Sequence, residues 1–452
     1  MHRAPTTHAA TLALLAASLL LAACGSGPAA PDDPGVWPQW RGPGGLGVSP
    51  LTGLPESWGP DTNVRWRTEI DGEGNSSPVV SDGTIYLTAA RGGADLRQRV
   101  VYALDPASGE VLWETVVISA PKETRHFFNT FAAPTPVTDG RRLFVHFGQH
   151  LAALDLDGEV LWTREIDPDF AKYSLYGAGS SPVLAGDVIL VAHDRETTDR
   201  PFGWIAAYAQ SDGSEVWKRT WDDTCCSYST PLVRTRGGTL EAVFAKSGEV
   251  VGYDPATGER LWAYELPIVQ PVPTPVAEGD LVAVFGGGNR VRYGAVLELT
   301  GTGTDTRVES LWETGKIIPQ TPSPVLYQGL LFTVTDNGVM ICYDVRTGEV
   351  QWRQRLGRGT YGPSLTAGDG KVYASTNEGL TTVVAAERTF RKVAENQLAE
   401  GSNASPAFTE ECLLLRSRTA LLCIDEPETA EEAGGGKRKK RGRKRAAQGG
   451  GS

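Results

Sequence analysis

Several features that mark common classes of enzyme or membrane protein are scarce in this chain of 452 residues. The six histidines are scattered and show no metal-ligand spacing. A CxxCH haem-attachment motif and a GxSxG nucleophile motif are both missing, so a c-type haem protein and a serine hydrolase have no support. Beyond the amino-terminal segment, no run is apolar and long enough to span a bilayer.

The composition is also poor in methionine and rich in residues that are typical of turns. Only 2 methionines stand against 53 glycines, 29 prolines and 12 tryptophans. Glycine and proline are typical of turns, and tryptophan is enriched in strands. The composition therefore indicates a turn-rich β-protein.

The amino terminus has the pattern of an export signal. Ala9 to Ala23 is uncharged and mostly Ala and Leu, and it ends in Leu-Ala-Ala-Cys at Cys24. This ending resembles a bacterial lipobox, which predicts a signal peptide over 1–24, lipidation of Cys24 and a flexible tether over 25–35. The alternative is an ordinary signal peptide cleaved near Ala23. The lipobox predicts an extracytoplasmic protein anchored to a bacterial membrane, facing the periplasm or the cell surface.

The carboxyl terminus is acidic from Asp425 to Glu432 and then basic, with eight positive charges from Lys437 to Arg445. The formal net charge is −11, so the chain without those eight charges carries about −19 (−11 − 8). With no apolar residues to bury, 426–452 is predicted to be a disordered tail. It could contact a polyanion of the envelope or the acidic body, or serve solubility alone, and no specific nucleic acid is expected.

The body repeats one unit. Each copy begins with a Ser/Thr-Pro step or a variant of it, followed by a short apolar strand, a glycine turn and a second strand. The eight starts are at Ser76, Pro134, Ser180, Ser229, Pro273, Pro322, Gly362 and Ala404. The second half is an apolar strand, a tight turn such as DPASGE, and a strand carrying tryptophan. These tryptophans are Trp113, Trp162, Trp217, Trp262, Trp312 and Trp352. Four short strands in about 45 residues are typical of a propeller blade.

The two ends of the body complement each other. The last unit stops after three strands, whereas Val64–Arg67 is an isolated tryptophan strand near the front. We therefore predict an all-β, eight-bladed β-propeller of four-stranded antiparallel blades over 36–425. The amino-terminal strand should complete the last blade and close the ring. The seventh unit lacks its tryptophan.

These units resemble the PQQ-type propeller repeat, and WPQWRGPGGLGVS (37–49) resembles the start of exported PQQ-repeat proteins. This family includes quinoprotein dehydrogenases, which hold pyrroloquinoline quinone and calcium in a central funnel. It also includes BamB-like lipoproteins, non-catalytic scaffolds in outer-membrane β-barrel assembly. The repeat is built from packing and turn residues, so it specifies fold far better than function.

The segment before each innermost strand is expected to line the mouth of the central channel. The candidate ligand residues there are Asn75, Tyr176, Asp222, Asp223, Tyr228, Gln270, Gln320, Tyr361 and Asn403. Cys225 and Cys226 stand in the same segment, and the resemblance implies a vicinal disulfide because alcohol-oxidising quinoproteins carry one. Asp222 and Asp223 could serve there as ligands or a base, or be solvated loop residues.

The remaining cysteines suggest a structural role. Alignment of the last unit with the sixth places Cys412 and Cys423 opposite each other on a hairpin, as a cross-strand disulfide or as two buried thiols. Cys342 has no evident partner and is predicted to fill the core.

Three hypotheses on function remain open. The first is a monomeric, non-catalytic binding or scaffold protein with envelope protein partners, no catalytic residues, no metal and no expected cofactor. The second is a PQQ- and calcium-dependent oxidoreductase that uses the funnel near Cys225 and Cys226. The third is a sensor of a small ligand or carbohydrate. It would use the mouth aromatics Phe127, Phe128, Tyr176, Tyr228 and Tyr361.

Overall fold

The computed structural model describes residues 35–93, 96–120, 125–195, 202–222, 227–288 and 291–425, with Arg195 described by its backbone only. Eight sheets of four antiparallel strands account for this part of the chain. The predicted eight-bladed β-propeller is therefore confirmed. The predicted signal peptide with Cys24, residues 25–34 of the tether, Asp223, Cys225, Cys226 and the tail over 426–452 lie outside the described residues.

The strands of the first four blades are given from the channel outward. Strand β1 (Val64–Glu69) precedes them and belongs to the last blade. Blade 1 contains β2 (Val79–Ser81), β3 (Thr84–Gly92), β4 (Arg97–Leu104) and β5 (Val111–Ala120). Blade 2 contains β6 (Val137–Thr138), β7 (Arg142–His146), β8 (His150–Asp155) and β9 (Val160–Glu165). Blade 3 contains β10 (Val183–Ala185), β11 (Val188–Arg195), β12 (Phe202–Ala209) and β13 (Glu215–Trp221). Blade 4 contains β14 (Leu232–Arg236), β15 (Thr239–Lys246), β16 (Glu249–Tyr253) and β17 (Arg260–Glu265).

The other four blades follow the same order. Blade 5 contains β18 (Val276–Glu278), β19 (Leu281–Gly287), β20 (Arg292–Thr300) and β21 (Arg307–Thr314). Blade 6 contains β22 (Val325–Tyr327), β23 (Leu330–Val334), β24 (Val339–Asp344) and β25 (Val350–Arg355). Blade 7 contains β26 (Thr366–Gly368), β27 (Lys371–Ser375), β28 (Leu380–Ala385) and β29 (Lys392–Gln397). Blade 8 contains β30 (Ala407–Phe408), β31 (Leu413–Arg416), β32 (Ala420–Ile424) and then β1.

Helices are few and short. In the part of the chain that the structure describes they are α1 (Phe170–Tyr173) and two 3₁₀ turns, Pro43–Gly45 and Gly303–Asp305. Within the described ranges no helix has the length and hydropathy needed to cross a membrane.

The ring closes through strands from the two ends of the body. β1 pairs antiparallel with β32, and Trp66 lies opposite Cys423. Just beyond the pair, the backbone N–H of Asp425 donates to the carbonyl oxygen of Asn63 at 2.9 Å. The predicted closure by the amino-terminal strand is confirmed, and the edges of the terminal strands are paired with each other instead of being exposed.

Burial differs across each blade. In the last blade, β31 and β32 are buried along their whole length. The outermost strand β21 alternates between exposed and partly buried positions. Inner strands lie between two neighbouring blades, and their sequences are therefore almost entirely apolar, whereas outer strands have one solvated face. The core is thus a set of apolar layers between adjacent blades.

Tryptophans on outer strands hold adjacent blades together. The indole N–H of Trp66 donates to the carbonyl oxygen of Pro106 at 2.9 Å. Its ring covers Gly109, which has φ of 74° and where a Cβ atom would lie 2.5 Å from the ring. The same arrangement recurs for Trp113 with Gly158 and for Trp217 with Gly258. The glycine of the DPASGE-type turn is needed both for its left-handed backbone and for this close approach.

The seventh unit lacks tryptophan for a topological reason. A tryptophan on β29 would dock on the turn between the third and fourth strands of blade 8. That turn does not exist, because β32 and β1 come from opposite ends of the chain. The position would therefore offer neither a turn glycine nor a turn carbonyl group.

Trp262 departs from the docking pattern in another way. Its indole N–H donates to Oε2 of Glu241 at 2.8 Å, within its own blade. The buried Glu241 carboxylate also accepts from Arg234 at 2.8 Å and from Arg236 at 3.2 Å. The turn of the next blade does not follow the DPASGE pattern, and this buried charge network replaces the docking contact.

Cys412 and Cys423 form a disulfide, with their Cα atoms 5.6 Å apart. In the strand register Cys423 lies opposite Leu414, so the bridge runs diagonally from the residue before β31. Cys342 is a buried free thiol.

Candidate functional site

The centre of the ring holds a cavity of about 640 Å³. Seven of the nine residues predicted for the channel mouth line it: Asn75, Tyr176, Tyr228, Gln270, Gln320, Tyr361 and Asn403. All seven stand in segments that lead into innermost strands. The repeat therefore brings residues that are distant in sequence to one cavity wall.

Two of the predicted mouth residues need correction. Asp222 is exposed after β13, the outermost strand of its blade, and it is not among the residues that line the cavity. Tyr361 borders the cavity, but its side chain is buried in the core between blades 6 and 7, and its hydroxyl donates to Gly357 O at 3.3 Å. Burial raises the pKa of Tyr361 to about 12. Its ring is therefore a packing element and not a surface for a ligand.

The rim of the cavity is held by amide side chains. Nδ2 of Asn75 donates to the carbonyl oxygen of Phe128 at 3.1 Å, and Nδ2 of Asn403 donates to the same oxygen at 2.7 Å. Nδ2 of Asn129 donates to the carbonyl oxygen of Tyr176 at 2.7 Å. These bonds connect the loop that carries Phe128 to blades 1, 3 and 8.

Five aromatic side chains lie along the mouth beside blades 2, 3 and 4, and we call them the aromatic rim: His126, Phe127, Phe128, Tyr176 and Tyr228. Phe127 is 74% exposed, Phe128 52% and Tyr176 40%. The His126 ring lies 5.3 Å from that of Tyr176, which lies 5.9 Å from that of Tyr228. All of these except Phe127 line the cavity. An exposed aromatic cluster of this kind is typical of a binding surface.

A closed ring of hydrogen bonds surrounds the channel below the mouth. In each blade the backbone N–H of one Ser or Thr donates to the hydroxyl oxygen of its counterpart in the next blade, at 2.9 to 3.1 Å. We call this the hydroxyl ring: Ser77, Thr135, Ser181, Thr230, Thr274, Ser323, Ser364 and Ser405. Sequence reasoning missed it, although a Ser or Thr directly before proline in seven of the eight units was its signal.

The far end of the channel is crossed by the amino-terminal segment. Trp37 pairs with Val80 in blade 1, and the Ser49 N–H donates to the carbonyl oxygen of Ala367 in blade 7 at 2.8 Å. Between them, Trp40 forms part of the cavity wall. The WPQWRGP stretch therefore covers the channel opposite the mouth.

Arg41 is fully buried in this crossing segment. One of its Nη atoms donates to the carbonyl oxygens of Pro324 at 2.5 Å and Leu46 at 3.0 Å. Burial lowers the pKa of Arg41 to about 9. Its partners are backbone carbonyl groups, so it anchors the crossing segment to blade 6.

The part of the cavity wall that the structure describes is nearly free of charge. Asp336 is its one carboxylate among the described residues, and its Oδ2 accepts the backbone N–H of Gln320 at 2.9 Å. The described part of the wall contains no lysine or arginine. In the described ranges no group of three or more His, Cys, Asp or Glu side chains is placed to hold a metal ion.

A buried carboxyl group stands behind the segment that leads to Tyr228. Asp194 in β11 accepts the backbone N–H of Ser227 through Oδ2. Burial raises the pKa of Asp194 to about 7, and the Ser227 bonds oppose this rise. The sequence gave no indication that Asp194 is buried, because a single aspartate at the end of an apolar strand is usually exposed.

The sequence matches the family described as outer membrane protein assembly factor BamB, in three overlapping matches over 58–196, 97–354 and 302–426. The BamB protein of Escherichia coli K12 is 24% identical over 320 residues, which cover 69% of this chain and 73% of that protein. The BamB protein of Yersinia pestis is 24% identical over 246 residues, which cover 51% of this chain and 56% of that protein, less than two thirds of its length.

Solved structures share the fold at low sequence identity. A europium-containing methanol dehydrogenase has a TM-score of 0.62 at 13% identity, over 86% of this chain and 91% of that chain. BamB from Moraxella catarrhalis has a TM-score of 0.56 at 13% identity, over 81% of this chain and 98% of that chain. Similarity at this level shows the propeller fold and leaves function to the site.

Proposed function

Because this chain belongs to the family of the outer membrane protein assembly factor BamB, we propose that it is a non-catalytic scaffold of the bacterial cell envelope that serves outer-membrane protein assembly. The family match is the main support for the proposal, and the low charge of the described cavity wall agrees with it. The chain is a monomer, anchored through a lipidated Cys24. Its exposed aromatic rim is the surface for a protein partner.

The cavity wall does not suit the cofactor of the dehydrogenases that share the fold. A tricarboxylate quinone needs arginine or lysine side chains around it, and calcium takes 6–8 oxygen ligands that commonly include several carboxylates. The described wall supplies one carboxylate, Asp336, and no cationic side chain. We therefore propose that the propeller works without quinone or calcium.

The aromatic rim supports a protein-binding role. Phe127 and Phe128 are two large apolar side chains exposed side by side, with ring centroids 4.0 Å apart. The loop that carries them is tied to three blades through Asn75, Asn129 and Asn403. Aromatic side chains, phenylalanine among them, are enriched in protein–protein interfaces relative to the rest of the surface, so this exposed pair suits a partner-binding surface.

The assembly role is tested by deletion in the organism that makes the protein. Without the chain, the folded fraction of outer-membrane β-barrel proteins, measured by heat-modifiable mobility on gels, should fall, and the full chain should restore it. A Phe127→Ala/Phe128→Ala double variant should restore it poorly. Leu161→Ala, which removes an exposed apolar side chain from an outer strand, should restore it fully. An unchanged folded fraction after deletion would rule out the assembly role.

The anchor is tested in the same strain. Cys24→Ser should abolish lipidation and move the protein from the membrane fraction to the soluble fraction, because the acyl chains supply the membrane affinity. Retention of Cys24→Ser in the membrane fraction would show that another contact holds the protein there.

A further inference from the structure

The chemistry of the cavity wall points to a ligand class that the assembly role does not require. Apart from Asp336, the ring of His126 and the indole of Trp40, the polar side chains in the described part of the wall are amides and hydroxyl groups. Amide and hydroxyl groups are matched donors and acceptors for other hydroxyl groups, and they give no advantage to an anion or a cation. A net charge of −11 also disfavours an anionic ligand.

Several polar groups of the wall have no partner within the described part of the chain. The hydroxyl oxygen of Tyr228 and Oδ1 of Asn377 are buried without a hydrogen bond. A buried polar atom without a partner costs about 1–3 kcal/mol. The side-chain amides of Gln270 and Gln320 also form no hydrogen bond with described residues, although both border the cavity. A ligand rich in hydroxyl groups could satisfy these groups.

The backbone at Gln270 supports a functional wall. Gln270 has φ of 51°, in the left-handed region that non-glycine residues rarely adopt. Such strain costs on the order of 1–3 kcal/mol and is found most often at binding sites. Gln270 is itself a residue of the cavity wall, so this strained backbone lies at the proposed binding surface.

Aromatic faces complete the arrangement. Phe128 and Tyr176 stand at the mouth, and Trp40 lies at the closed end. Aromatic rings pack against the C–H faces of apolar or amphipathic ligands and bury a large area at low entropic cost. The volume of about 640 Å³ lies within the range of about 300–1,000 Å³ typical of small-ligand sites.

From these contacts we propose that the central cavity binds the end of a neutral carbohydrate chain. The terminal sugar enters from the mouth, packs between Phe128 and Tyr176, and directs its hydroxyl groups to Gln270, Gln320 and Asn377. The cavity takes a chain end because the segment from Trp37 to Ser49 crosses the far end of the channel. The site goes beyond the assembly role, and direct sugar binding tests it separately from that role, although Phe128 and Tyr176 also belong to the aromatic rim.

The test is isothermal titration calorimetry with the full-length protein in detergent. The neutral probes are maltohexaose, cellohexaose and N-acetylchitohexaose, and the acidic probe is an oligogalacturonate. At least one neutral probe should bind with one site per chain, and the acidic probe should not bind. Cyclomaltohexaose, which has no chain end, should not bind either. The proposal would be overturned if none of the three neutral probes bound. It would also be overturned if the acidic or the cyclic probe bound as tightly as a neutral probe.

The chain offers a matched pair of variants for the probe that binds. Phe128→Ala and Tyr176→Ala should weaken affinity at least about tenfold, which is about 1.4 kcal/mol. Phe127→Ala removes the adjacent and more exposed ring, which does not line the cavity, and should change affinity less than about twofold. Gln320→Ala should weaken binding while the melting temperature stays unchanged. Equal effects of Phe127→Ala and Phe128→Ala would place the ligand on the outer surface and contradict the cavity site.

Discussion

The backbone N–H of Ser405 donates to the hydroxyl oxygen of Ser77 at 2.9 Å and joins the last blade to the first. It is the closing bond of the hydroxyl ring, in which every member donates to one neighbour and accepts from the other. Around the perimeter, the same two blades are connected by the pairing of β1 with β32 and by the docking of Trp66 on blade 1. The propeller is therefore closed both at its axis and at its edge.

The hydroxyl ring should contribute measurably to stability. Ser77→Ala removes the acceptor of the buried Ser405 N–H and should lower the free energy of unfolding by about 1–3 kcal/mol. Ser77→Thr keeps the hydroxyl group and should lose less. Urea unfolding followed by tryptophan fluorescence measures both. Equal losses for the two variants would show that the hydrogen bond is not the source of the effect.

Tryptophan docking should make some glycines far less replaceable than others. Gly258 and Gly238 both have a left-handed backbone, with φ of 69° and 81°. A Cβ at Gly258 would lie 2.5 Å from the Trp217 ring, whereas a Cβ at Gly238 would meet nothing within 4 Å. Gly238→Ala should lower the free energy of unfolding by about 1–2 kcal/mol, because an L-residue is strained in the left-handed region. Gly258→Ala should cost about 1–3 kcal/mol more for the clash. Similar melting temperatures for the two variants would contradict the docking role.

The charge network around Glu241 should contribute strongly to stability, because Glu241 is the carboxylate that both arginines share. Glu241→Ala leaves Arg234 and Arg236 without their shared carboxylate and should destabilise the fold by about 3–5 kcal/mol. Glu215→Ala removes a carboxylate from an exposed pair with Lys218 and should cost at most about 1 kcal/mol. Chemical unfolding measures both. A loss below about 1 kcal/mol for Glu241→Ala would show that the network contributes little.

Asp194 should make stability depend on pH. Burial raises the pKa of Asp194 in the folded protein from 3.8 to about 7. Between about pH 4 and pH 7 the folded protein therefore keeps a proton on Asp194 that the unfolded chain has lost. The stabilisation that protonated Asp194 contributes is therefore fully present below about pH 4 and is lost as pH rises towards about 7. Asp194→Asn cannot titrate, so its stability relative to the natural protein should increase from pH 4 to pH 8. Parallel stability curves for the two proteins over this range would contradict the raised pKa.

Much of the fold was predictable because each unit carries its own turn chemistry and strand pattern. The Asp, Pro and Gly of a turn such as DPASGE specify a local conformation, and the missing strands at the two ends specify closure. The mouth residues were found from their place before the innermost strands. The burial of Tyr361 and the outward position of Asp222 depend on packing between blades, which no single unit encodes.

Other parts of the site depend on contacts between residues far apart in sequence. The hydroxyl ring needs eight inner strands at one distance from the axis before any of its bonds can form. The placement of Trp40 and Arg41 across the channel depends on contacts with blades 1, 6 and 7. In both cases the residue types could be read from the sequence, but their positions relative to one another are determined only once the ring closes.

We propose that the central cavity holds neither quinone nor calcium and performs no redox chemistry. Titration of the purified full-length protein with pyrroloquinoline quinone in excess calcium, followed by the absorbance of the quinone, tests this claim most directly. We expect no stoichiometric uptake and no reduction of an artificial dye after addition of alcohols or sugars. Binding of one quinone per chain with sustained dye reduction would contradict it.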